Sequence, residues 1–346
     1  MAEIWFSILA LTLVLYAALD GFDFGAGLLH LWVARTDDER RAVLAAIGPF
    51  WDGNEVWLLA TGGVLFVAFP SVLAVAFPAF YLALFLVLWC LVLRGISIEV
   101  RNHLEDSLWA AFFDAVFAGS SSLLGLLFGL ALGNVVRGVP IDAKQSFTLA
   151  FFTDFLPTGQ VGLIDFYTLS VGLLSSAFLA AYGATFLAAR TAGSLRARCL
   201  VAERTSAFVA AALFVVVTIE TQFVRPSLLA NMLHRLPGWL GIAVLVVGAS
   251  LWLRGYRAGE DRRAFTGSSL VAIGILGAAA AGLYPTIIHS TLAPEFDMNA
   301  PTSLVAPYGA EVGLVWWLIA LVPALLYVVM GFRRNWDRVG RDPASR

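Results

Sequence analysis

The chain has 346 residues, of which 60% are hydrophobic and only 13% charged, and its formal net charge at pH 7 is −2. Its mean hydropathy is +0.84. A water-soluble fold of this length needs a polar skin that so few charged residues cannot supply, and so small a net charge offers nothing to nucleic acid. The composition therefore predicts an all-α integral membrane protein, a single polytopic membrane domain over residues 1–346.

A helix that crosses a bilayer needs about 20 mostly apolar residues. The segments that qualify are 4–33, 54–70, 72–93, 110–134, 163–189, 203–222, 238–254, 264–288 and 311–332, so about nine transmembrane helices packed as helical bundles are expected. The first lacks the basic leader of a signal peptide and reads as a span. Within it, YAALDGFDFGAGLL starts at Tyr16 and carries Asp20 and Asp23, three residues apart and so on one helical face. The second opens in GPFWDGNEVWLLATGG, where Trp51 and Trp57 bracket Asp52, Asn54 and Glu55. A tight turn at Phe69-Pro70-Ser71 separates it from the third, which leaves the membrane through RGISIEVR with Arg94, Glu99 and Arg101. Gly125, Gly129 and Gly133 in the fourth segment, and Gly21 with Gly25 in the first, form small-residue stripes that let helices approach closely in lipid. Cys90 falls in a span and Cys199 in a loop, so no bridge between them is expected.

Short cytoplasmic loops are enriched in Lys and Arg. Eighteen arginines, Arg94 and Arg101 among them, fall after the odd-numbered segments, against Arg137, Lys144, Arg225 and Arg235 on the other side. That asymmetry predicts an N-terminus outside and a C-terminus in the cytoplasm. The long connections, about 135–162 and 289–310, then lie outside together.

On this topology Asp23 and Asp20 lie mid-membrane, while Asp52 and Glu99 lie near the cytoplasmic surface, with Glu55 one turn after Asp52. An acid at the centre of a span costs about 2.5–3.5 kcal/mol on insertion scales, so it is protonated, paired or next to water. One reading is a proton relay from the cytoplasm through Asp52, Glu99, Asp23 and Asp20. The other is structural, with Asp23 bonding a neighbouring helix and Asp52 capping the second span. Both remain open on the residues alone.

At these residues a resemblance emerges. DGFDFGAG, GPFWDGNEVWLLATGG, FPAFY, RGISIEVR, LYPTIIHSTL and NAPTS occur in order along the chain. Together they resemble subunit II of the cytochrome bd-type quinol oxidases. The resemblance implies a bacterial inner-membrane, multi-pass subunit of a respiratory enzyme that oxidises quinol and reduces dioxygen to water. It implies a haem-bearing subunit I as partner in a pseudosymmetric heterodimer, with haem b and haem d groups and the quinol-oxidising loop in that partner. It leaves room for a small single-span accessory subunit and for a structural quinone here. It also implies that subunit II contributes acids to a proton path. Asp52 matches the acid of the WDGN element, Trp51 its first tryptophan and Asp23 the second acid of DGFD. Glu99 stands where the family commonly has Asp. Asp20 and Glu55 match positions at which the family is expected to tolerate exchange.

The histidines agree with haem lying elsewhere. There are four, His30, His103, His234 and His289, near span ends or in loops, and a haem buried in a bundle needs ligands inside spans. No His/Cys/carboxylate cluster has metal-ligand spacing. Trp5, Trp316 and Trp317 read as interfacial aromatics, whereas Trp51, Trp57, Asn54 and Glu55 are expected to shape the pocket around the acid-bearing turn. Two other classes fit a multispanning bundle with intramembrane acids: a proton-coupled transporter, for which inverted repeats would be expected, and a scaffold whose acids only pack.

Overall fold

The computed structural model describes residues 1–156 and 160–336. Arg338, Arg341 and Arg346 lie outside the described residues. Among the described residues thirteen α-helices follow one another: α1 (Ala2–Val33), α2 (Asp37–Ile47), α3 (Trp51–Ala68), α4 (Pro70–Ala79), α5 (Tyr81–Val100), α6 (Ser107–Arg137), α7 (Phe166–Arg190), α8 (Gly193–Val224), α9 (Pro226–Leu233), α10 (Leu236–Ala258), α11 (Asp261–Leu283), α12 (Ala300–Ser303) and α13 (Pro307–Asn335). Among the described residues, eight of these are long and apolar enough to cross a membrane: α1, α5, α6, α7, α8, α10, α11 and α13. The second expected span coincides with α3, whose 18 residues begin with the polar turn that holds Asp52, Asn54 and Glu55.

The third expected span needs correction. The run 72–93 is not one helix. Pro78 lies inside α4, which ends at Ala79, and α5 starts afresh at Tyr81. Proline removes a backbone donor and crowds the preceding turn, so an unbroken apolar run conceals a break. Since α5 continues to Val100, Arg94 and Glu99 belong to a helix rather than to a connecting loop. Cys199 likewise lies within α8 and is buried.

α7 is the most enclosed of the crossing helices, with 67% of its most apolar window buried, whereas none of the corresponding window of α13 is. Glycine explains how α1 and α6 reach α7. A Cβ at Gly25 would sit 1.8 Å from the carbonyl oxygen of Leu179, and one at Gly129 would sit 2.6 Å from the Cα of Gly172. At these crossings backbone meets backbone, which only small residues permit. Aromatic rings then fill the centre: Phe22 stacks on Phe186 with centroids 4.2 Å apart, and Tyr182 stacks on Phe265 at 5.6 Å.

The two long connections meet at one end of the bundle. The Val139 N–H donates to His289 O at 2.9 Å and the Thr291 N–H to Val139 O at 3.0 Å. Two short ribbons lie there, β1 (Ala150–Phe152) parallel to β2 (Gly162–Ile164), and β3 (Thr286–Ile288) antiparallel to β4 (Met298–Asn299). At the same end the Trp5 indole donates to Ala310 O at 3.1 Å. Trp5 is 1% exposed, so it packs inside the chain and is not the interfacial aromatic expected of it.

Candidate functional site: a carboxylate cluster around Arg94

α1 sets Asp20 and Asp23 one turn apart, and both are fully buried. The residue facing them is Arg94 of α5, also fully buried. Its Nη2 donates to Asp20 Oδ1 at 2.8 Å and its Nη1 to Asp20 Oδ2 at 3.4 Å, a two-pronged pairing. Nη1 also reaches Glu55 Oε1 at 3.0 Å, and Nη2 lies 3.9 Å from Asp23 Oδ2. Asn54, one turn into α3, donates through Nδ2 to Asp23 Oδ2 at 2.8 Å and to Leu19 O at 2.7 Å. The guanidinium carbon stands 4.3 Å from the centroid of the Phe24 ring.

Thus α1, α3 and α5 bring Asp20, Asp23, Asn54 and Glu55 together around a cation that hydropathy had assigned to a loop. Trp57 is buried beside this group, packed with Tyr16, Phe24 and Cys90. Trp51 is half-buried and lies against Gly95 of α5. Asp52 and Glu99 stay outside: both are exposed, and neither makes a hydrogen bond or ion pair among the described residues. Asp52 does not cap α3 either. The N-cap is Phe50, without a side-chain cap, and Asp52 sits in the first turn.

The charges in this cluster do not balance. Three carboxylates share one guanidinium, which leaves two negative charges uncompensated if all three are ionised. Asp20 takes most of the Arg94 fork. Asp23 keeps one oxygen, Oδ1, buried without a hydrogen-bond partner among the described residues. Unpaired buried charge is costly, so such a group is one that a proton can neutralise.

A second buried charge cluster escaped the reading of the sequence. Asp114 of α6, 1% exposed, accepts from Arg101 Nε at 2.9 Å, Arg101 Nη2 at 3.0 Å and Arg40 Nη1 at 3.2 Å, and its Oδ1 lies 2.7 Å from His30 Nε2. Arg101 Nη2 also donates to Asp37 Oδ1 at 2.6 Å. The rule that singled out Asp20 and Asp23, an acid within an apolar run, applies equally to Asp114 in WAAFFDAVFAG. Beside this cluster α2 opens with a capping box, Thr36 with Glu39. Glu39 also pairs with Arg198 and accepts from Ser194 Oγ at 2.9 Å. Partial burial works against its ionisation, but the Arg35 N–H, the Arg198 guanidinium, the Ser194 hydroxyl and the Thr36 N–H outweigh it and hold the carboxyl down at about 2.

The histidines are placed apart. His30 is buried against Asp114 and Phe117, and His289 Nδ1 lies 2.8 Å from Asp297 Oδ1. His103 and His234 are exposed. Among the described residues no group of three or more His, Cys, Asp or Glu side chains is arranged to hold a metal ion.

The profile of the cytochrome bd terminal oxidase subunit II family matches residues 1–334. The chain belongs to that family. As a bd oxidase subunit II it is a multi-pass bacterial inner-membrane protein and one subunit of a haem-bearing quinol oxidase complex. It is 29% identical to the cytochrome bd-I ubiquinol oxidase subunit 2 of Escherichia coli K12 over 374 residues, covering 99% of this chain and 96% of that one. To the cytochrome bd ubiquinol oxidase subunit 2 of Bacillus subtilis it is 28% identical over 316 residues, covering 90% and 88%. In fold it is similar to a chain of the bd oxidase from Geobacillus thermodenitrificans, with a TM-score of 0.69 over 95% of this chain and 97% of that chain at 18% identity. The Arg94 cluster therefore lies in a subunit II whose fold matches that of a solved bd oxidase.

Proposed function

We propose that this subunit supports a haem-bearing subunit I and delivers protons toward the partner's oxygen-reducing site. The route enters at Asp52 and Glu99, continues through Glu55 and ends at Asp23. The observation that carries this reading is the charge imbalance around Arg94, with one oxygen of Asp23 buried and unpartnered. Oxygen reduction consumes protons, and a lipid-enclosed site needs titratable groups or ordered water to receive them. Asp52 and Glu55 stand one turn apart on α3, one exposed and the other half-buried against Arg94, so they form successive steps inward. Asp20 is the fixed counter-ion that holds the guanidinium in place.

The orientation belongs to the same proposal. The end bearing α2 and the starts of α8 and α11, rich in arginine, faces the cytoplasm, and the end where the long connections meet faces outside. The haem b and haem d groups lie in subunit I. In this chain His30 is engaged by Asp114 and His289 lies against Asp297, which fits their not serving as axial ligands. A structural quinone and a small accessory subunit are compatible with this arrangement but carry no part of it.

The test is turnover per haem in the assembled oxidase. Asp23→Asn and Glu55→Gln preserve shape but cannot carry a proton. Both are expected to assemble with normal haem content and to lose most quinol-oxidase turnover. Normal turnover per haem in both variants ends the relay and leaves the cluster as a scaffold.

A further inference from the structure

At the arginine-rich end, α8 packs along α7 and α10 along α11, which leaves a notch between α8 and α10. Two adjacent i, i+4 rows of α8 line it, Leu200–Arg204–Phe208 and Val201–Thr205–Val209, and Tyr256 of α10 closes it. The cavity is about 660 Å³. Its depth in the bilayer follows from helix length. The 32 residues of α8 span about 48 Å at 1.5 Å per residue, about 18 Å more than the hydrocarbon core. Arg204 stands about 16 Å from the start of α8, at the level where headgroups meet acyl chains. Tyr256 sits near the Ala258 end of α10, as a polar-tipped aromatic at that level should.

The Thr205 hydroxyl is spent on the carbonyl oxygens of Val201 and Ala202, but the two other polar side chains of the notch are free. Arg204 makes no hydrogen bond or ion pair, and the Tyr256 hydroxyl has no hydrogen-bond partner, among the described residues. Among the described residues, no carboxylate lines the cavity. The neighbouring Glu203 is turned away and accepts from the Trp252 indole at 2.7 Å. We propose that this notch binds one anionic phospholipid of the phosphatidylglycerol type. Its phosphate rests on the Arg204 guanidinium and the Tyr256 hydroxyl, and its acyl chain lies along Phe208 and Val209. A guanidinium and a hydroxyl match a phosphate's acceptors. A zwitterionic headgroup would bring an ammonium that finds no acid in the lining, so charge complementarity favours the anionic lipid.

The test uses the purified, delipidated oxidase complex in mixed micelles containing phosphatidylglycerol or phosphatidylcholine, with retained lipid counted by native mass spectrometry. The unmodified complex is expected to retain one more phosphatidylglycerol than Arg204→Gln does, with binding of that lipid about tenfold weaker in the variant. Tyr256→Phe, which removes only the hydroxyl, should weaken retention in the same direction, and it carries the test if Arg204→Gln fails to assemble. Equal retention by the variants and the unmodified complex overturns the proposal. So does equal retention of phosphatidylcholine, or binding of inorganic phosphate to Arg204 without any lipid preference.

Discussion

Replacing Arg94 tests whether the buried cluster holds the bundle together. Arg94→Met keeps roughly the volume and apolar stem of the side chain but removes every donor that Arg94 brings to the site, leaving only Asn54 on Asp23. Asp20 loses a two-pronged partner at 2.8 and 3.4 Å, Glu55 loses a bond of 3.0 Å, and Asp23 loses its nearest cation at 3.9 Å. Asp20 and Asp23 are fully buried, so water cannot take the place of the guanidinium. Removing one partner of a buried pair typically costs about 3–5 kcal/mol, because the charge left behind is uncompensated. The measurement is the dodecyl sulfate mole fraction at which half of the assembled oxidase unfolds. Arg94→Met should lower it, while Asp20→Asn combined with Arg94→Met should recover part of the loss, because the amide leaves no charge stranded. A double-mutant cycle of this kind should show a coupling of roughly 2 kcal/mol or more between the two positions. Arg94→Lys keeps the charge but loses the fork, and should fall between. A variant within about 1 kcal/mol of the unmodified complex, or sites 20 and 94 that behave additively, would refute the account.

Other outcomes follow from geometry elsewhere. Gly25→Ala should disrupt the α1–α7 crossing and cost about 1–3 kcal/mol or more, because the added carbon meets the Leu179 carbonyl; Gly62→Ala, with nothing within 4 Å, serves as the neutral control in the same unfolding assay. Glu39→Gln should be less stable than the unmodified protein near neutral pH. Because the folded carboxyl is held at about 2, below its ordinary 4.5, its contribution is present above about pH 4.5 and disappears as the pH falls toward 2, so unfolding curves of the two proteins should converge over that window. A reporter active only in the periplasm should give signal when inserted near Asp142 and none when fused at Arg346, and the reverse pattern would invert the orientation.

The acids were legible in the sequence and their partners were not. Asp20 and Asp23 stand out because an apolar run tolerates carboxylates poorly. Arg94 does not, because hydropathy ends a span where the apolar run ends, and a cation just past that point looks like a loop residue. The α5 backbone hydrogen bonds continue to Val100 regardless, which draws Arg94 and Glu99 into the helix. The same logic hid the break at Pro78, since hydropathy measures polarity rather than backbone donors. Glycine spacing fared better. Gly25 and Gly129 make the close crossings their stripes suggested, whereas at Gly125 the nearest atom, in the Leu179 side chain, stands at 3.4 Å, an ordinary van der Waals contact. Asp114 was missed for lack of a motif around it, although its apolar setting carried the same signal as Asp23.

The two buried clusters share a pair of helices. Asp23 and His30 are seven residues apart on α1, and Arg101, the C-cap of α5, follows Arg94 by seven residues in αR backbone, so each pair lies on one helical face two turns apart. α1 and α5 are thus tied at two levels about 10.5 Å apart along their axes. The levels carry opposite excess charge. Around Arg94 the carboxylates outnumber the guanidinium, whereas Asp114 and Asp37 face Arg40, Arg41 and Arg101. A proton approaching from the arginine-rich end along α1 and α6 would first meet the cationic level, which repels it. On the proposed route along α3 it would meet Asp52 and then Glu55, whose negative charge attracts it; Glu55 touches the same guanidinium as Asp20. On the proposed relay, the field of the Asp114 cluster would favour the α3 side as the entrance. Asp114→Asn, which deepens the positive charge of that level without touching α3, should leave turnover per haem largely intact in complexes that assemble. A loss of turnover as deep as that of Glu55→Gln would move the entrance to α1 and α6.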